Sequence, residues 1–551
     1  MCGIWAVFGS DDDVSVQCNA VHHIAHRGPD AFRIENINHL RNCCLGFHRL
    51  AIVDDIRGMQ PMRLYTLPHI WLIYNGEIYN HTGLDKQFDL SVSTECDGEP
   101  IIHLYSMLGA EEMAKQLDGV FAFCILDTAN RRVVLGRDTF GVRPLFRLHT
   151  DLGFLAVCSE AKGLFGLSHS LTDEDATIEP FPPGHVEVYD LDHMGRAFLK
   201  SRTRFNSPGQ TPLYKTMEVK MVDDIKKNIR LLFEAAVKKR LMSERRIGCL
   251  LSGGLDSSLV AATLVKLSKE IGVTYPIQTF ATGMEGSPDL AAARKVADYL
   301  GTEHHEVIFT PEEGLEAIPS VVYHLESYDI TSVRASVAMF LVSRYIKQKT
   351  DTTVVLSGEG SDEVAQGYIY FHKAPSAGDA HSESLRLLED LYLYDVLRGD
   401  RTTSAWGLEI RVPFLDHRFT SYYLSLPPEL RLPQDGVEKH LLRSAFDDGS
   451  LLPSDILWRP KEAFSDGVSS LRRSWFKVIQ DFCEEQVNDS ELEEAGKLFK
   501  HNTPRTKEAL FYRKLFEAKY PTKGSWIPYF WMPRWSTSDD PSARTLKHYK
   551  Q

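Results

Sequence analysis

The sequence predicts an N-terminal α+β domain of stacked sheets, followed by an α/β domain with a doubly wound parallel sheet and helical additions. Three observations support this prediction. The chain has 551 residues, more than one hydrophobic core usually accommodates. Up to about residue 190 it shows short strand-like runs separated by turns. Beyond about residue 215 strand and helix signals alternate, which is typical of a parallel sheet.

Short runs rich in apolar and β-branched residues predict the strands of the first domain, which we place at residues 2–190. These runs are Cys44–Val53, Ile70–Tyr74, Val120–Asp127, Arg132–Arg137 and Gly153–Ser159. A polar stretch punctuated by proline and glycine follows, and it predicts a linker over residues 191–215.

In the second domain, residues 216–535, predicted strands lead directly into predicted helices. The pairs are Ile247–Leu251 with a helix from Ser257, and Ile277–Thr282 with a helix from Asp289. Helical periodicity in Ser384–Leu397 predicts the helical additions, and we expect residues 536–551 to form a C-terminal tail.

Composition excludes two classes of partner. The formal net charge of −13 argues against a nucleic-acid binder, which needs a basic surface. The one basic run, Lys238-Lys239-Arg240, lies in a predicted amphipathic helix, and we expect its cations to face solvent. No segment approaches the roughly 20 apolar residues of a membrane span. We therefore expect neither nucleic-acid nor membrane partners.

Cysteine usage points to a reducing compartment. The nine cysteines form an odd, scattered set without C-x-x-C spacing, which favours free thiols over disulfides or a zinc site. The first residues lack a basic leader, so we expect a cytosolic protein. A homodimer is compatible with the sequence, which does not decide the oligomeric state.

Cys2 is a candidate nucleophile because of its position. If Met1 is removed, Cys2 has both a thiol with a pKa of about 8.5 and a free α-amine with a pKa of about 7.7 to 8. Proton transfer between the two groups then costs only on the order of 1 kcal/mol, and nucleophile and base belong to one residue. By itself a second-position cysteine means little, so the prediction depends on the motifs that follow it.

Four motifs accompany this cysteine in a fixed order. They are Cys2-Gly3-Ile4, His26-Arg27-Gly28-Pro29-Asp30, Tyr74-Asn75-Gly76-Glu77-Ile78-Tyr79-Asn80 and Gly136-Arg137-Asp138. Together they resemble the class II glutamine amidotransferases. The resemblance implies an Ntn-hydrolase-type αββα sandwich for the first domain, with glutamine as its substrate.

The same resemblance implies roles for individual residues. Cys2 would be the nucleophile, and the Asn75 side chain with the Gly76 backbone N–H would form the oxyanion hole. Arg49 would bind the α-carboxylate of glutamine, while Asp97 and the Glu77 backbone would receive its α-ammonium group. The implied glutamine-binding set is Arg49, Leu50, Ala51, Ile52, Val53, Asn75, Gly76, Glu77 and Asp97.

Each of these residues also has an ordinary interpretation. Asn75-Gly76 is a common hairpin turn, Asp97-Gly98 is another turn signal, and Arg49 alone is an unremarkable surface cation. Taken singly, those interpretations are the better ones. Taken together, independent turns are not expected to supply a nucleophile, an oxyanion hole and both charged contacts.

The turn after the strand at Ile247–Leu251 is suited to phosphate. In Ser252-Gly253-Gly254-Leu255-Asp256-Ser257 the small residues allow backbone N–H groups and a helix N-terminus to point at one site. The lysine of a P-loop is missing, and Asp256 instead supplies a carboxylate for Mg²⁺. An ordinary βα turn is the alternative for this motif taken alone.

A second turn, Ser357-Gly358-Glu359-Gly360-Ser361-Asp362, follows a predicted strand at Val354–Leu356. Both turns would lie at the carboxyl edge of one sheet, where ligands bind, with Asp362 as the second magnesium ligand. The first turn resembles the pyrophosphate loop of the ATP-pyrophosphatase family. We therefore expect ATP as a substrate and Mg²⁺ as a cofactor.

Over essentially its whole length the chain resembles the asparagine synthetase family. The matching runs are Gly283–Leu290, Tyr328–Ser336, Gly407–Asp416 and Trp458–Phe464. This implies a ligase that uses glutamine, aspartate and ATP. The implied nucleotide contacts are Leu250, Ser252, Gly253, Gly254, Asp256, Ser257, Thr282, Ser357 and Gly358.

The family resemblance also implies roles in the second reaction. Glu359 would serve formation of an aspartyl-adenylate, and Lys461 would neutralise the departing pyrophosphate. Thr331 and Arg334 are candidates for binding aspartate.

Two alternatives remain. One is a β-lactam synthetase, which adenylates a carboxylate without using glutamine, but that lineage tends to lose the N-terminal cysteine that is present here. The other is a non-catalytic regulator, which would be expected to lose reacting groups first.

Overall fold

A computed structural model describes residues 1–10, 14–37, 40, 42–54, 57–170, 176–209, 221–461, 467–469, 474–536 and 540–541. The chain divides into two compact units. The first comprises Met1–Gln210 with two later segments, Met242–Arg245 and Ser404–Glu409; the second comprises Thr211–Leu241, Arg246–Thr403 and Ile410–Gln551. Two short segments from later in the sequence thus belong to the N-terminal unit.

The first unit contains two antiparallel sheets. Its strands are β1 Gly3–Phe8, β2 Ala31–Asn36, β3 Cys43–Arg49, β4 Ile70–Ile78, β5 Gly119–Asp127, β6 Arg132–Arg137, β7 Phe146–His149, β8 Leu155–Cys158, β9 Thr177–Pro180, β10 His185–Leu191 and β11 Ala197–Arg204. The six-stranded sheet has the order β2-β3-β1-β8-β7-β9 and the five-stranded sheet the order β11-β10-β6-β5-β4.

The two sheets enclose one hydrophobic core, and helices cover their outer faces. The helices are α1 Val14–His22, α2 His81–Phe88, α3 Glu99–Leu108, α4 Ala110–Gln116 and α5 Lys162–Ser170. Because successive side chains of a strand point to opposite faces, Ile73 of β4 joins the core between the sheets, whereas Leu72 and Tyr74 pack toward α2–α4. On the other sheet, the indole N–H of Trp5 donates to the Gly163 carbonyl of α5 at 3.0 Å. The predicted αββα sandwich is confirmed.

Strand β11 corrects the predicted linker, which was placed at residues 191–215. Ala197–Arg204 pairs antiparallel with β10 as an edge strand of the five-stranded sheet. Most of its side chains are exposed, and polar residues alternate poorly with apolar ones, so the sequence lacked the usual strand signal. Residues 210–215 of that interval, the adjoining residues 216–220, and residues 537–539 and 542–551 of the predicted tail lie outside the described part of the chain.

The second unit contains a five-stranded sheet with the order β14-β13-β12-β15-β16. Its strands are β12 Arg246–Leu250, β13 Gln278–Gly283, β14 Glu303–Ile308, β15 Thr352–Leu356 and β16 Glu409–Arg411. β12 pairs in parallel with β13 and β15, and β13 pairs in parallel with β14. The carboxyl ends of β12 and β15 are therefore adjacent, as the sequence predicted.

Helices account for the rest of the second unit. They are α6 Val222–Lys239, α7 Leu255–Glu270, α8 Pro288–Leu300, α9 Pro311–Leu325, α10 Ile330–Lys349, α11 Ser361–Val364, α12 Ala377–Asp390, α13 Asp395–Ser404, α14 His417–Ser425, α15 Pro428–Arg431, α16 His440–Phe446, α17 Ser454–Leu457, α18 Trp475–Gln486, α19 Asp489–Leu498 and α20 Lys507–Lys519. Within the described residues, no helix is both long and apolar enough to cross a membrane.

The basic run at the end of α6 does not face solvent as expected. Lys238 is exposed, but Arg240 is buried, and Lys239 and Arg240 lie 2.5 Å and 3.0 Å from the buried carboxylate of Asp416. That carboxylate also accepts from the backbone N–H groups of Arg418 and Phe419, and so caps α14. The two cations are therefore used to neutralise a buried N-cap.

Removing the charge of Asp416 should destabilise the second unit. Although burial opposes ionisation, Lys239 and Arg240 hold the pKa of Asp416 well below its usual range. This contribution to stability is present above the unfolded-state pKa and is lost as pH falls through the folded-state value. Asp416→Asn keeps the cap but leaves two cations without their carboxylate, and we expect a loss of about 3 kcal/mol in the free energy of unfolding.

Urea denaturation of the full chain at pH 7 measures this effect. Asp351→Asn is the matched control, because Asp351 is 69% exposed in its ion pair with Arg246 and should contribute little. Equal urea midpoints for Asp416→Asn and the unchanged protein would contradict the assignment.

Candidate active sites

Contacts on both sides hold Cys2 in place in the first unit. The partly buried thiol lies 3.4 Å from the Leu50 backbone nitrogen and 3.5 Å from the Leu50 carbonyl oxygen. The Cys2 carbonyl accepts a hydrogen bond of 3.0 Å from the Arg27 Nε–H. The thiol and the Leu50–Val53 loop are therefore adjacent, as predicted.

Arg27 is fully buried and forms an ion pair of 2.6 Å with Glu160. Glu160 also pairs with Lys162 and lies 3.1 Å from the His26 imidazole. A buried charge needs such partners, so the His26-Arg27 motif is explained by support of the Cys2 backbone. Glu160 was missed in the sequence, because nothing near it in the chain marks it as a partner of Arg27.

In the chain with Met1 attached, the Cys2 nitrogen is in a peptide bond. Burial raises the pKa of the Cys2 thiol above its ordinary value, and it lowers the pKa of the Met1 amine to about 6. The Met1 amine lies 3.9 Å from the buried Glu409 carboxylate. In this form the thiol is protonated at neutral pH, and no base shares its residue.

Strand β4 positions the predicted oxyanion hole. The Asn75 side chain is completely buried, and neither its Nδ2 nor its Oδ1 has a hydrogen-bond partner in the described part of the chain. Gly76 has φ of +145°, and a Cβ there would lie 2.0 Å from the Val120 carbonyl oxygen. Burying an amide without a hydrogen-bond partner costs free energy of folding. The Asn75 Nδ2–H group is therefore available to donate to an oxygen atom of a ligand.

The predicted contacts to the charged ends of glutamine lie on β3 and beside β4. Asp97 is buried and accepts from the Tyr74 hydroxyl at 2.8 Å and from the Ile78 N–H at 2.7 Å. Burial raises the pKa of this carboxyl group. The Glu77 carboxylate is among the charges that raise the Cys2 thiol pKa, so the end of β4 lies near the nucleophile.

Arg49 ends β3 with its guanidinium buried, and one terminal nitrogen donates to the Asp54 carbonyl. Ala51 N–H donates to Asp30 at 2.9 Å, and the Ile52 carbonyl accepts from Glu244 N–H at 2.9 Å. These hydrogen bonds within the protein hold the loop of Leu50, Ala51, Ile52 and Val53 in place.

A cavity of about 270 Å³ in the second unit is lined by the other predicted site residues except Gly253. Leu250, Ser252, Gly254, Asp256, Ser257, Thr282, Thr331, Arg334, Ser357, Gly358, Glu359, Asp362 and Lys461 all line it. These residues come from separate parts of the sequence. The structure thereby brings the predicted nucleotide, metal and aspartate residues together.

The turn between β12 and α7 is fixed by its small residues. Gly253 has φ of +72°, and a Cβ there would lie 2.4 Å from the Ala292 carbonyl carbon of α8. The Ser257 hydroxyl accepts from the Ser252 N–H at 3.2 Å. The turn therefore packs closely against α8 while its polar groups and the N-terminus of α7 face the cavity, an arrangement suited to phosphate.

The two turns meet through a cluster of two carboxylates and two lysines. The Lys439 ammonium lies 2.7 Å from Asp256 and 2.6 Å from Asp362, and Lys461 lies 2.7 Å from Asp362. Burial opposes ionisation of Asp362, but the two lysines hold its pKa well below its usual range. Asp362 in turn raises the pKa of Lys461 despite burial. Asp362 and Lys461 are therefore both charged at neutral pH.

Asp256 and Asp362 are the candidate ligands for Mg²⁺. In the described part of the chain, no group of three or more His, Cys, Asp and Glu side chains could hold a metal ion. In nucleotide sites Mg²⁺ is usually held by one or two carboxylates together with phosphate oxygens and water. The pair therefore fits a magnesium ion that arrives with a nucleotide.

Glu359 lies beside a buried guanidinium. Arg398 donates to Glu359 at 2.7 Å and to Asp395 at 3.0 Å. Burial raises the pKa of Glu359, and Arg398 opposes that shift. Tyr368 connects the same cluster by donating to Asp395 at 3.0 Å.

The first turn of α10 positions the two aspartate-site candidates. Asp329 caps this helix by accepting from the Ser332 N–H at 2.9 Å. The Thr331 hydroxyl oxygen is buried and has no hydrogen-bond partner among the described residues. Arg334 is fully paired, because it contacts both Glu508 and Asp540.

Lys439 and Arg398 are site residues that the sequence did not reveal. Lys439 precedes α16 in a left-handed conformation, with φ of +57°, and no motif surrounds it. Arg398 is in the middle of α13. The only available signal was an unexplained cation within a predominantly helical stretch, which is too common to be informative.

Comparisons with known proteins match both units. The family model described as a glutamine amidotransferase domain matches residues 1–182, and the one described as asparagine synthase matches residues 228–382 and 374–545. Proteins named asparagine synthetase [glutamine-hydrolyzing] from Gallus gallus and Rattus norvegicus are each 60% identical to this chain over 557 residues. The alignments cover 100% of this chain and 99% of each relative. This chain belongs to the asparagine synthetase family.

The protein of that name from Homo sapiens is 59% identical over the same length. Membership of the asparagine synthetase family confirms the resemblance found in the sequence, and the full-length match favours it over the β-lactam synthetase alternative. The roles of individual residues stay predictions.

Lys439 should be required for binding a pyrophosphate group. Lys439→Met retains the length of the side chain but removes the ammonium group between Asp256 and Asp362, so the turns would present a more negative surface. We expect the affinity for magnesium pyrophosphate, measured by titration calorimetry, to fall at least about tenfold, since charged hydrogen bonds contribute about 1.5 to 3 kcal/mol.

The matched control is Lys269→Met, because Lys269 is an exposed cation near the far end of α7. Unchanged affinity in Lys439→Met, or an equal loss in the control, would show that Lys439 does not act at the phosphate site.

Proposed function

We propose that this chain synthesises L-asparagine from L-aspartate with the amide nitrogen of glutamine, in a reaction driven by ATP. The products are AMP, pyrophosphate, glutamate and asparagine, and the intermediate is β-aspartyl-AMP. One observation carries the proposal: the two βα turns, their paired carboxylates and lysines, and the Thr331 hydroxyl all line a single cavity. Membership of the asparagine synthetase family supports the same reaction.

In the first unit, removal of Met1 would leave a free amine on Cys2. The thiol gives its proton to that amine, and the thiolate attacks the side-chain carbonyl carbon of glutamine. The Asn75 amide and the Gly76 N–H donate to the oxyanion that forms, which accounts for an amide that has no partner in the described chain. The nitrogen leaves as ammonia with the proton from the amine, and water then cleaves the thioester to release glutamate.

In the second unit, a carboxylate oxygen of aspartate attacks the α-phosphorus of ATP, and pyrophosphate departs. Lys439 and Lys461, which already neutralise the two aspartates, offset the charge that develops on the leaving group. Ammonia then attacks the acyl carbon, loses a proton and displaces AMP. A magnesium ion held by Asp256 and Asp362 would supply further positive charge to the phosphate oxygens.

Glu359 is the group available to assist at the acyl centre. Glu359 lines the cavity. Burial raises its pKa, and the neighbouring Arg398 opposes that shift by favouring the charged carboxylate. A carboxylate here can orient the incoming ammonia or accept its proton. Thr331 offers a hydroxyl and Arg334 a guanidinium for the carboxylate of aspartate that does not react.

Substituting Cys2 should separate the two half-reactions. In Cys2→Ala the nucleophile is lost, so we expect glutamine-supported asparagine formation to disappear while ammonia-supported formation continues near its original rate. Both assays should record AMP and pyrophosphate as co-products. Formation of ADP and orthophosphate, or turnover that does not depend on aspartate, would contradict the proposal.

Asn75 tests the oxyanion hole independently of the nucleophile. Asn75→Ala removes one donor and should lower kcat for glutamine hydrolysis about 100- to 1,000-fold, with a small effect on KM for glutamine. Asn80→Ala is a suitable control, since Asn80 follows the same strand but bonds to the backbone of residues Gln116 and Asp118. A rise in KM alone would mean that Asn75 only binds the substrate.

A further inference from the structure

The C-terminal segment lies along the cavity of the second unit. We define it as the described residues 524–536 and 540–541. The Tyr328 hydroxyl donates to the Gly524 carbonyl at 2.6 Å, and the Tyr394 hydroxyl donates to the Tyr529 carbonyl at 2.7 Å. The Trp531 N–H donates to Asp329, the cap of α10, at 2.8 Å. This C-terminal segment is therefore fastened to the helix that supplies Thr331 and Arg334.

Three residues of the C-terminal segment line the cavity itself: Trp531, Pro533 and Pro541. The Trp531 ring also packs against Tyr368, with the ring centroids 5.5 Å apart. The residue before Pro541 is Asp540, and its carboxylate bonds to Arg334. The C-terminal segment thus places a carboxylate on the guanidinium of Arg334, a residue that lines the cavity.

Arg334 is almost saturated by two carboxylates. Its Nε and one terminal nitrogen donate to Glu508 at 2.7 Å and 2.6 Å. Its two terminal nitrogens donate to Asp540 at 3.0 Å and 2.8 Å. A guanidinium has five N–H groups, so these contacts leave only one for any further acceptor. A substrate carboxylate cannot bind in the two-pronged manner without displacing one of the present partners.

Charge leads to the same conclusion. One guanidinium between two carboxylates has a net charge of −1, so a third carboxylate would be repelled. Glu508 is the fixed partner, because its side chain is 3% exposed and it also accepts from the Tyr512 hydroxyl at 2.9 Å. Asp540 is 20% exposed, and its carboxylate also accepts from the Gln480 side-chain amide at 3.2 Å. Asp540 is therefore the partner that an incoming carboxylate can exchange with.

We propose that Asp540 is an internal competitor of the substrate: its carboxylate occupies the Arg334 position that a carboxylate of aspartate takes during synthesis, and so it sets the affinity for aspartate. This inference rests on the proposed function, in which Arg334 binds aspartate. While the Asp540 carboxylate occupies Arg334, a smaller fraction of the protein can bind aspartate. The apparent dissociation constant for aspartate therefore rises in proportion. Binding of aspartate and release of Asp540 are then one exchange reaction.

The test compares Asp540→Asn with Asp540→Glu in the full-length protein. Asparagine at position 540 keeps the size but is a weak competitor, so KM for aspartate in the ammonia-supported reaction should fall between about twofold and tenfold, with kcat little changed. The glutamate variant retains a carboxylate and should resemble the unchanged protein. Ending the chain at Ser536 should reproduce the effect of Asp540→Asn.

A merely structural role predicts the opposite result. If Asp540 served only to orient Arg334, its loss would raise KM for aspartate, and that result or an unchanged KM would overturn the proposal. Asp455→Asn removes an equal charge from an exposed ion pair with Lys295 and should leave KM unchanged. Thermal unfolding of each variant shows whether the fold is intact.

Equilibrium binding of L-aspartate without ATP separates this inference from the proposed function. Tighter binding in Asp540→Asn supports the competitor whether or not the protein turns over. If the unchanged protein releases pyrophosphate in response to aspartate but Asp540→Asn binds aspartate no more tightly, the inference fails and the proposed function stands. If no pyrophosphate is released, the proposed function fails by itself.

Discussion

Neutralisation of buried charge is the constraint on which both units depend. Three buried ion pairs join distant parts of the sequence: Arg27 with Glu160, Asp416 with Arg240, and Asp362 with Lys439. An isolated charge would cost several kcal/mol in such surroundings, so each pair fixes the elements that contain its members. The pair Asp362 and Lys439 fixes the turn after β15 against the start of α16, and the shared contact of Lys439 with Asp256 adds the turn after β12. The shape of the cavity follows from these charges.

The two reactions need opposite electrostatic surroundings. Around Cys2 the predicted donors are neutral, namely the Asn75 amide and the Gly76 backbone, and burial holds the thiol protonated while Met1 is attached. A tetrahedral oxyanion is short-lived, so unpaired neutral donors can stabilise it without attracting permanent anions. Triphosphate is a permanent polyanion, and the second unit accordingly places Lys439 and Lys461 beside its cavity, paired with Asp362. This difference explains why pKa shifts at the first site come mainly from burial, whereas those at Asp362 and Lys461 come from ion pairing against burial.

Local sequence was sufficient for the features that are themselves local. The turn with Gly253 depends on a few consecutive residues, and the alternation of strands and helices predicted the parallel sheet. Partners that are brought together only by folding could not be predicted: Glu160 is 133 residues from Arg27, and Lys439 is 183 residues from Asp256. Strand β11 was missed because an edge strand needs one apolar face at most. The cations at the end of α6 were assigned to solvent because helical periodicity places a residue on a face but does not show what covers that face.

The two arginines expected to bind substrate carboxylates differ in what holds them before the substrate arrives. One terminal nitrogen of Arg49 donates to the backbone carbonyl of Asp54. Arg334 is matched by Glu508 and Asp540, so an incoming carboxylate must take the place of one already present. Binding at Arg334 is therefore an exchange of one carboxylate for another, with a small net gain. On this basis the affinity for aspartate depends on how firmly the C-terminal segment holds Asp540 at Arg334. Substitutions in that segment can therefore alter the affinity without any change in the residues that react.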